Sequence, residues 1–330
     1  MFENKKIFIF GMAKSGYEAA KLLSKYNNEI IITDSKMQDE NHIKELESLN
    51  VKVVITDNQI DLIDESFDYM IKNPGIPANN PLVVKAKSLN IKVINEIEAA
   101  YHFLPKNVKI IGITGSNGKT TTTTITYEML KMKYDNVYLG GNIGYPLSQI
   151  VENIKENSIL VMEISDHQLC DMYDFKTDIS MLLNLVHAHI DFHGTYEKYM
   201  KMKKRIFNNH TEKDIAILNY NNNDVLSLTG DIKSKKIYFS STNEKDAYIK
   251  NGAIYYKNEE VIKLDKIKLK GIHNYENIMA SIIALKEFDV ENEIIEKYLS
   301  NFNGVEHRIE YVRTLNGRVF YNDSKSTNNE

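Results

Sequence analysis

Cysteine is nearly absent. The 330 residues hold one, Cys170, so no disulfide can form within the chain, and that thiol reads as a small buried side chain in a reducing compartment. Long apolar runs are missing as well. Nothing approaches the roughly 18 residues of a membrane helix, and the first six residues lead straight into Ile-Phe-Ile-Phe, too short for the apolar region of a signal peptide. A cytoplasmic protein without membrane contact is expected. No basic stripe is interleaved with aromatic residues, and the net charge is −4, so polyanion binding has nothing general to rest on and nucleic acid is not an expected partner. There is no internal repeat or low-complexity tract. What remains is ordinary globular composition, 42% hydrophobic and 26% charged, in a chain long enough for two or three domains.

The most informative stretch is Ile110-Ile-Gly-Ile-Thr114-Gly-Ser-Asn-Gly118-Lys119-Thr120, an apolar strand running into a glycine-rich turn and a Lys-Thr helix start. Glycines let backbone N–H groups converge on anionic oxygens, and the helix N-terminus adds its positive dipole end. Lys119 is suited to the β/γ-phosphates of a nucleoside triphosphate and the Thr120 hydroxyl to Mg²⁺. The strict phosphate-loop pattern wants glycine at 113, where this chain has Ile113.

Upstream, Lys5–Phe10 reads as a buried strand, followed by the turn Gly11-Met-Ala-Lys-Ser-Gly16 and a helix carrying Ala19, Ala20, Leu22 and Leu23. Strand 29–33, a helix through Ile43, Leu46 and Leu49, and strand 51–55 complete a βαβαβ alternation, hence a parallel sheet. Further strands fall at 67–71 and 93–94, with Lys72-Asn-Pro-Gly-Ile-Pro77 a rigid turn between them. From Val108 a second alternation begins: strand 109–113, the phosphate loop, a helix over 119–131, and strands 137–139, 159–163 and 179–185. A histidine-rich loop, a helix over 196–207 and strand 215–219 follow. Residues 236–262 read as mostly antiparallel strands, and helices are expected from about 273 and over 291–299. Residues 317–323 read as a lone strand that cannot bury its apolar face. The chain is therefore expected to be a piece of a longer protein.

Other motifs are open to more than one reading. Gly11–Gly16 resembles a dinucleotide fingerprint without its middle glycine, and Asp34 ends the next strand where a ribose-binding carboxylate would sit; Lys14 and Lys36 fit another phosphate or nucleotide equally, and a plain tight turn needs the same glycines. Glu163 ends an apolar strand at the edge that faces the ligand crevice in open α/β sheets, either as a Mg²⁺ ligand or as a strand-end carboxylate. His187, His189, Asp191 and His193 alternate along a loop. That spacing does not force convergence on zinc, and one histidine near Mg²⁺ or substrate is expected instead. Lys201, Lys203, Lys204 and Arg205 read as a solvated helix face from composition alone.

Taken together, Thr114–Thr120, Gly140-Gly-Asn-Ile-Gly144, Glu163-Ile-Ser165, His189, Tyr199 with Lys203, His273-Asn-Tyr-Glu-Asn277, His307-Arg308 and Asn322-Asp-Ser-Lys-Ser-Thr-Asn328 resemble the Mur ligases, in order and over the whole chain. Within that family, Asn73-Pro-Gly-Ile-Pro77 and Gly140–Gly144 resemble the branch that adds D-glutamate. The resemblance implies a Rossmann-like parallel-sheet domain over 1–105, a P-loop-type α/β central domain over 106–305, and the start of a mostly absent C-terminal α/β domain over 306–330. It implies an ATP-dependent amide ligase of peptidoglycan synthesis, in which the carboxylate of UDP-N-acetylmuramoyl-L-alanine takes the γ-phosphoryl group and the D-glutamate amine then displaces phosphate.

By that likeness Lys119, Glu163, His189 and Lys203 form the catalytic set. Gly115, Ser116, Asn117, Gly118, Lys119, Thr120, Thr121 and Arg308 hold the ATP phosphates, with Asn277 and Asp323 on the adenosine. Thr120, Glu163, His189 and a carbamylated Lys203 bind Mg²⁺. Ser15, Asp34, Ser35 and Lys36 take the uridine nucleotide, Asn73, Asn142 and Ser165 the rest of that substrate, and Lys325 with Thr327 the D-glutamate. A monomer is favoured, and all partners are small molecules. The chain departs from the family pattern at Ser165-Asp-His-Gln-Leu169, where Ser-Ser-Phe-Gln-Leu is common, and at Ala188, where an Asp is common. With the C-terminal domain expected to be missing, the chain is expected to bind nucleotides and ligate weakly. Another Mur ligase and a non-catalytic nucleotide-binding module are the alternatives.

Overall fold

The computed structural model describes residues 1–188, 190–305, 310–315, 318–322 and 324. They fall into two compact units. Residues 1–108, 140–158 and 165–175 form the first, and residues 109–139, 159–164 and those from 176 onward form the second.

The first unit is built on five parallel strands, β1 (Lys6–Phe10), β2 (Glu29–Asp34), β3 (Lys52–Ile55), β4 (Tyr69–Lys72) and β5 (Lys92–Ile94), in the order β3-β2-β1-β4-β5. The near-continuous apolar sequence of β1 has a simple cause: both sheet faces are covered. Ile7 and Ile9 pack with Ile30, Ile32 and Leu23 on one side, while Phe8 and Phe10 pack with Met70, Val93 and Leu82 on the other. Helices α1 (Lys14–Ser24), α2 (Glu40–Ser48), α3 (Pro81–Ser88) and α4 (Glu96–Tyr101) alternate with the strands. The last two were not anticipated, although Asn80-Pro81 and Asn95 are helix-start signals: the Asn80 side chain accepts from Leu82 N, and that of Asn95 accepts from Glu98 N.

The second unit carries a mixed sheet. In chain order its strands are β6 (Lys109–Thr114), β7 (Val137–Gly141), β8 (Ile159–Glu163), β9 (Ile179–Leu182), β10 (Ile215–Asn219), β11 (Lys235–Ser240), β12 (Ala247–Lys250), β13 (Ala253–Tyr256) and β14 (Glu259–Lys263), arranged β14-β13-β12-β11-β10-β9-β6-β8-β7. Helix α5 (Lys119–Lys131) follows β6. The short helices α6 (Leu147–Ile150) and α7 (Asp166–Leu169) belong to the first unit, while in the second α8 (Ile190–His193) precedes α9 (Tyr196–Lys204), α10 (Asn223–Leu228), α11 (Ile272–Lys286) and α12 (Asn292–Leu299). Helix α11 is apolar nearly all round because it is interior: Ile278, Ile282 and Ile283 share one core with Ile125 and Met129 of α5 and Ile111 and Ile113 of β6.

Three expectations change. The strand expected over 179–185 leaves the ladder after Leu182, because the backbone of 184 and 186 is engaged by Ser116 instead. Strands β10 and β11 pair in parallel, since α10, capped by the Asn222 side chain, makes the crossover between them; within 236–262 the antiparallel pairs are β12–β13 and β13–β14. Near the chain end the strand is not alone. β15 (Glu310–Leu315) pairs antiparallel with β16 (Arg318–Asn322), and Glu-Tyr-Val-Arg-Thr-Leu has the aromatic and β-branched content that favours a strand. Among the described residues no helix is long and apolar enough to cross a membrane.

Candidate active site

Three parallel strands deliver the central chemistry of the second unit at their carboxyl ends. β6 lies between β8 and β9, with Ile113 opposite Glu163 and Thr114 opposite Leu182. Ligands of open α/β sheets bind at such strand ends, where the order of connection reverses. Ile113 is fully buried in the β6 ladder and packs in the core, so the missing glycine of the strict pattern lies within the strand and the turn itself begins at Gly115. Gly118, the residue before α5, has φ +81°, and a Cβ there would fall 2.2 Å from Asn277 Oδ1. Only glycine meets both demands.

The loop is held by side chains from distant segments. Asn184 Oδ1 accepts from Asn117 N (2.8 Å) and Asn184 Nδ2 donates to Asn117 O (3.1 Å), while Ser116 N donates to Asn184 O (2.9 Å). Ser116 Oγ lies 2.7 Å from Tyr199 Oη. Lys119 Nζ donates to Gly115 O (2.9 Å) and Ser116 O (2.8 Å), which sets its ammonium over the loop. The brace supplied by Asn184 was not foreseen, because residue 184 falls inside the strand expected over 179–185.

Lys203 overturns the solvated-face reading of its helix. It is 0% exposed, and its Nζ donates to Gly115 O (3.0 Å) and Thr114 Oγ1 (3.2 Å). Residues 201 and 204 on the same helix do reach solvent, because 203 sits on the buried stripe with Tyr199 one turn earlier. Glu163 is 1% exposed at the end of β8, a buried carboxylate rather than a surface one. Thr120 is buried, and its Oγ1 makes no hydrogen bond among the described residues; Thr121 follows in the first turn of α5. In the histidine-rich loop, His187 stacks on Tyr196 with ring centroids 4.0 Å apart, and His193 lies 5.7 Å from the Tyr199 ring. His189, Arg308, Asp323, Lys325 and Thr327 lie outside the described residues.

The first unit gathers most of the expected nucleotide-substrate residues. Gly11 has φ +100°, and a Cβ on Gly16 would fall 2.0 Å from Gly11 O, so the turn into α1 closes only with glycine at 16. Asp34 fixes that turn: its Oδ2 accepts from Met12 N (2.9 Å) and its Oδ1 from Lys36 N (3.0 Å). Ser15 sits in the first turn of α1, and Ser35 and Lys36 are exposed beyond β2. Asn73, after β4, donates its N–H to Phe10 O (2.9 Å), and its Oδ1 accepts from Gly75 N (3.0 Å). Lys14 Nζ donates to Gly144 O (3.3 Å), bringing the 140–145 turn with exposed Asn142 beside the Gly11 loop. Ser165 caps α7 through a reciprocal pair of hydrogen bonds with Gln168. Two departures from the family pattern answer one another, since Asp166 is buried with its Oδ2 3.4 Å from His167 Nδ1.

Comparison with known proteins gives the family of the chain that carries these residues. The Mur ligase middle domain matches residues 113–285, and the N-terminal domain of the MurD-like Mur ligases matches residues 5–95. The chain belongs to the Mur ligase family. UDP-N-acetylmuramoylalanine--D-glutamate ligase of Geobacillus kaustophilus (strain HTA426) is 42% identical over 330 residues, covering 99% of this chain and 73% of that protein. The proteins of that name from Geobacillus sp. (strain WCH70) and Bacillus cereus (strain G9842) are 43% and 42% identical over the same shares. Among solved structures, a murein peptide ligase from Psychrobacter arcticus shares the fold at TM-score 0.60 and 15% identity, over 97% of this chain and 72% of that one. The MurF ligase from Thermotoga maritima, solved in complex with ADP, does so at TM-score 0.55 and 19% identity, over 97% and 68%.

A Mur ligase of this sequence has donors suited to Mg²⁺. The orphaned Thr120 hydroxyl and the buried Glu163 carboxylate are oxygen ligands of the kind hard cations take. His210 and Glu96 are buried titratable groups whose pKa values burial shifts. His210, hydrogen-bonded to Thr177, Ser180 and Ser234, is held neutral by burial, its pKa lowered to about 4. Glu96, whose Oε1 accepts from Ser148 N at the start of α6, is pushed by burial up to about 7.

Proposed function

We propose that the chain catalyses, or forms the nucleotide-binding part of an enzyme that catalyses, ATP-dependent addition of D-glutamate to UDP-N-acetylmuramoyl-L-alanine in peptidoglycan synthesis. The observation that carries the reading is the Gly115–Thr120 loop, closed at Gly118 against Asn277 and ending in a buried hydroxyl without a hydrogen-bond partner among the described residues. The relatives' names point to UDP-N-acetylmuramoylalanine and D-glutamate as the groups joined.

In this reading Lys119 and the backbone of Gly115–Thr121 receive the ATP phosphates, and Arg308 adds charge from outside the described residues. A substrate carboxylate oxygen bonds to the γ-phosphorus as the bond to the ADP oxygen breaks, giving an acyl phosphate. The amine of D-glutamate then bonds to the acyl carbon, phosphate leaves, and the amine's proton is released. Such transfer needs positioning and charge neutralisation more than covalent help from the protein. Mg²⁺, when bound, neutralises phosphate charge, and Thr120, Glu163, His189 and Lys203 would hold it. Lys203 takes part as a carbamate, which turns a buried cation into an oxygen ligand; a carbamate carbon signal from protein equilibrated with ¹³C-bicarbonate tests this. Ser15, Asp34, Ser35, Lys36, Asn73, Asn142 and Ser165 bind the UDP substrate, Asn277 and Asp323 the adenosine, and Lys325 and Thr327 the D-glutamate. The protein works as a cytoplasmic monomer.

The deciding experiment is calorimetric titration of the 330-residue chain with UDP-N-acetylmuramoyl-L-alanine, UDP-N-acetylmuramate and Mg-ATP. Tighter binding of the alanine-bearing nucleotide supports the reading. A folded protein that binds none of the three overturns it.

A further inference from the structure

Lys72 and Asp171 form an ion pair at 2.9 Å inside the first unit, with side chains 1% and 5% exposed. Taking two charges out of water is costly, and an apolar pair of similar volume often stabilises a fold equally well or better. Stability alone is therefore a poor reason for this pair to be here. Its other contacts suggest a different one.

Lys72 is the last residue of β4, and its Nζ donates to two backbone carbonyls of the turn that follows, Ile76 O at 2.6 Å and Asn73 O at 3.3 Å. Within that turn Ile76 N donates to Asn73 O and Gly75 N to Asn73 Oδ1, each at 3.0 Å, so the ammonium closes a loop that is already tight. The turn packs on the Gly11 loop: a Cβ on Gly11 would meet Asn73 Cβ at 2.9 Å and Ile76 Cδ1 at 3.7 Å. Asp171 is itself anchored. Its carbonyl accepts from Asn95 N (3.2 Å), the Asn95 side chain donates to Gln168 O, and Glu98 accepts from Asp174 N (2.7 Å) and Phe175 N (3.0 Å). The carboxylate that balances Lys72 therefore sits on a segment docked at both ends against the start of α4.

We propose that Lys72, held by Asp171, is a positioning residue for the UDP substrate: it fixes the Asn73–Pro77 turn so that Asn73 and the turn backbone meet the nucleotide lodged on the Gly11 loop. This rests on the function proposed above. The pair adds binding energy indirectly, by presenting a preordered turn to the ligand.

The test compares the parent with Lys72→Met/Asp171→Leu, which replaces both charges by apolar groups, and with Asp171→Asn, which keeps the shape. The double variant should melt within a few degrees of the parent and bind Mg-ATP within about twofold, yet lose about tenfold or more in affinity for UDP-N-acetylmuramoyl-L-alanine. Amide hydrogen exchange at Gly75 and Ile76 should accelerate in both variants with no ligand present. Parental affinity for the UDP substrate together with unchanged exchange at these amides overturns the proposal. If the double variant does not fold, exchange in Asp171→Asn decides in the same way. A parent that fails to bind the UDP substrate counts against the proposed function, and the exchange measurement still decides whether Lys72 orders the turn.

Discussion

Replacing Gly118 by alanine tests whether the phosphate loop depends on a left-handed residue packed against α11. Two separable costs follow from the geometry. A left-handed backbone costs an L-residue about 1–2 kcal/mol, and Gly118 has φ +81°. The new methyl would also lie 2.2 Å from Asn277 Oδ1, 2.9 Å from its Cγ and 3.0 Å from its Nδ2. Asn277 is 7% exposed on an interior helix, so it has little room to withdraw, and overpacking of this kind costs about 1–3 kcal/mol. Gly118→Ala should therefore destabilise by about 2–5 kcal/mol in all. Truncating Asn277 to alanine removes the overlap and leaves the backbone cost. In that background Gly118→Ala should cost only about 1–2 kcal/mol, which leaves a coupling of about 1–3 kcal/mol between the two positions. Urea midpoints of the four proteins measure the cycle, and calorimetric Mg-ATP affinity follows the loop itself. Additive effects, with coupling near zero, would refute the reasoning and mean that the loop relaxes away from α11 without penalty.

Gly16→Ala should be worse tolerated, because its Cβ would meet the backbone oxygen of Gly11 at 2.0 Å and no side chain can yield; a melting temperature equal to the parent's contradicts this. Thr120→Val removes the orphaned hydroxyl at constant shape, so stability should hold or rise while the gain in ATP affinity on adding Mg²⁺ falls about tenfold; an unchanged Mg²⁺ effect removes Thr120 as a ligand. His210, with a folded pKa of about 4 against 6.5, refuses protons that the unfolded chain accepts, so stability is lost as pH falls from 6.5 to 4, by on the order of 3 kcal/mol, and His210→Gln should flatten that limb of a urea-midpoint profile. Glu96 acts in the opposite direction. Its folded pKa of about 7 against 4.5 makes its stability contribution fade as pH rises from 4.5 to 7, by a similar on-the-order-of 3 kcal/mol, and Glu96→Gln should raise the midpoint above pH 7; no rise there would show that the carboxylate is solvated after all.

Strands were legible in this sequence because most are buried on both faces. Runs such as Ile7–Phe10 and Ile159–Met162 leave little alternative, and the boundaries at 159–163 and 215–219 match the structure. Where the reading failed, a tertiary partner decided the outcome. Residues 183–186 have strand composition, yet their backbone serves Ser116 and the Asn184 side chain serves the Asn117 backbone, a use that no local pattern encodes. The parallel pairing of β10 with β11 depends on α10, a six-residue helix whose signal is one capping asparagine. The burial of Lys203 could not be read from a lysine-rich helix, because charge content is blind to which lysine falls on the apolar stripe.

The departure at Ile113 shows how far a motif can be trusted. In pattern form the missing glycine counts against a phosphate loop. In the sheet, residue 113 lies opposite Glu163 in the β6–β8 ladder and buries its side chain in the core, where glycine would leave a void beneath α5. What the turn needs is permissive backbone at 115 and 118, and both are glycine, with φ of +156° and +81°. The rest of its shape comes from Asn184, Tyr199, Lys203 and Asn277, which lie far along the chain and reach the loop through β9, α9 and α11. The pattern therefore records the flexible part of the site, whereas its rigidity belongs to residues that become visible only once the strands are ordered side by side.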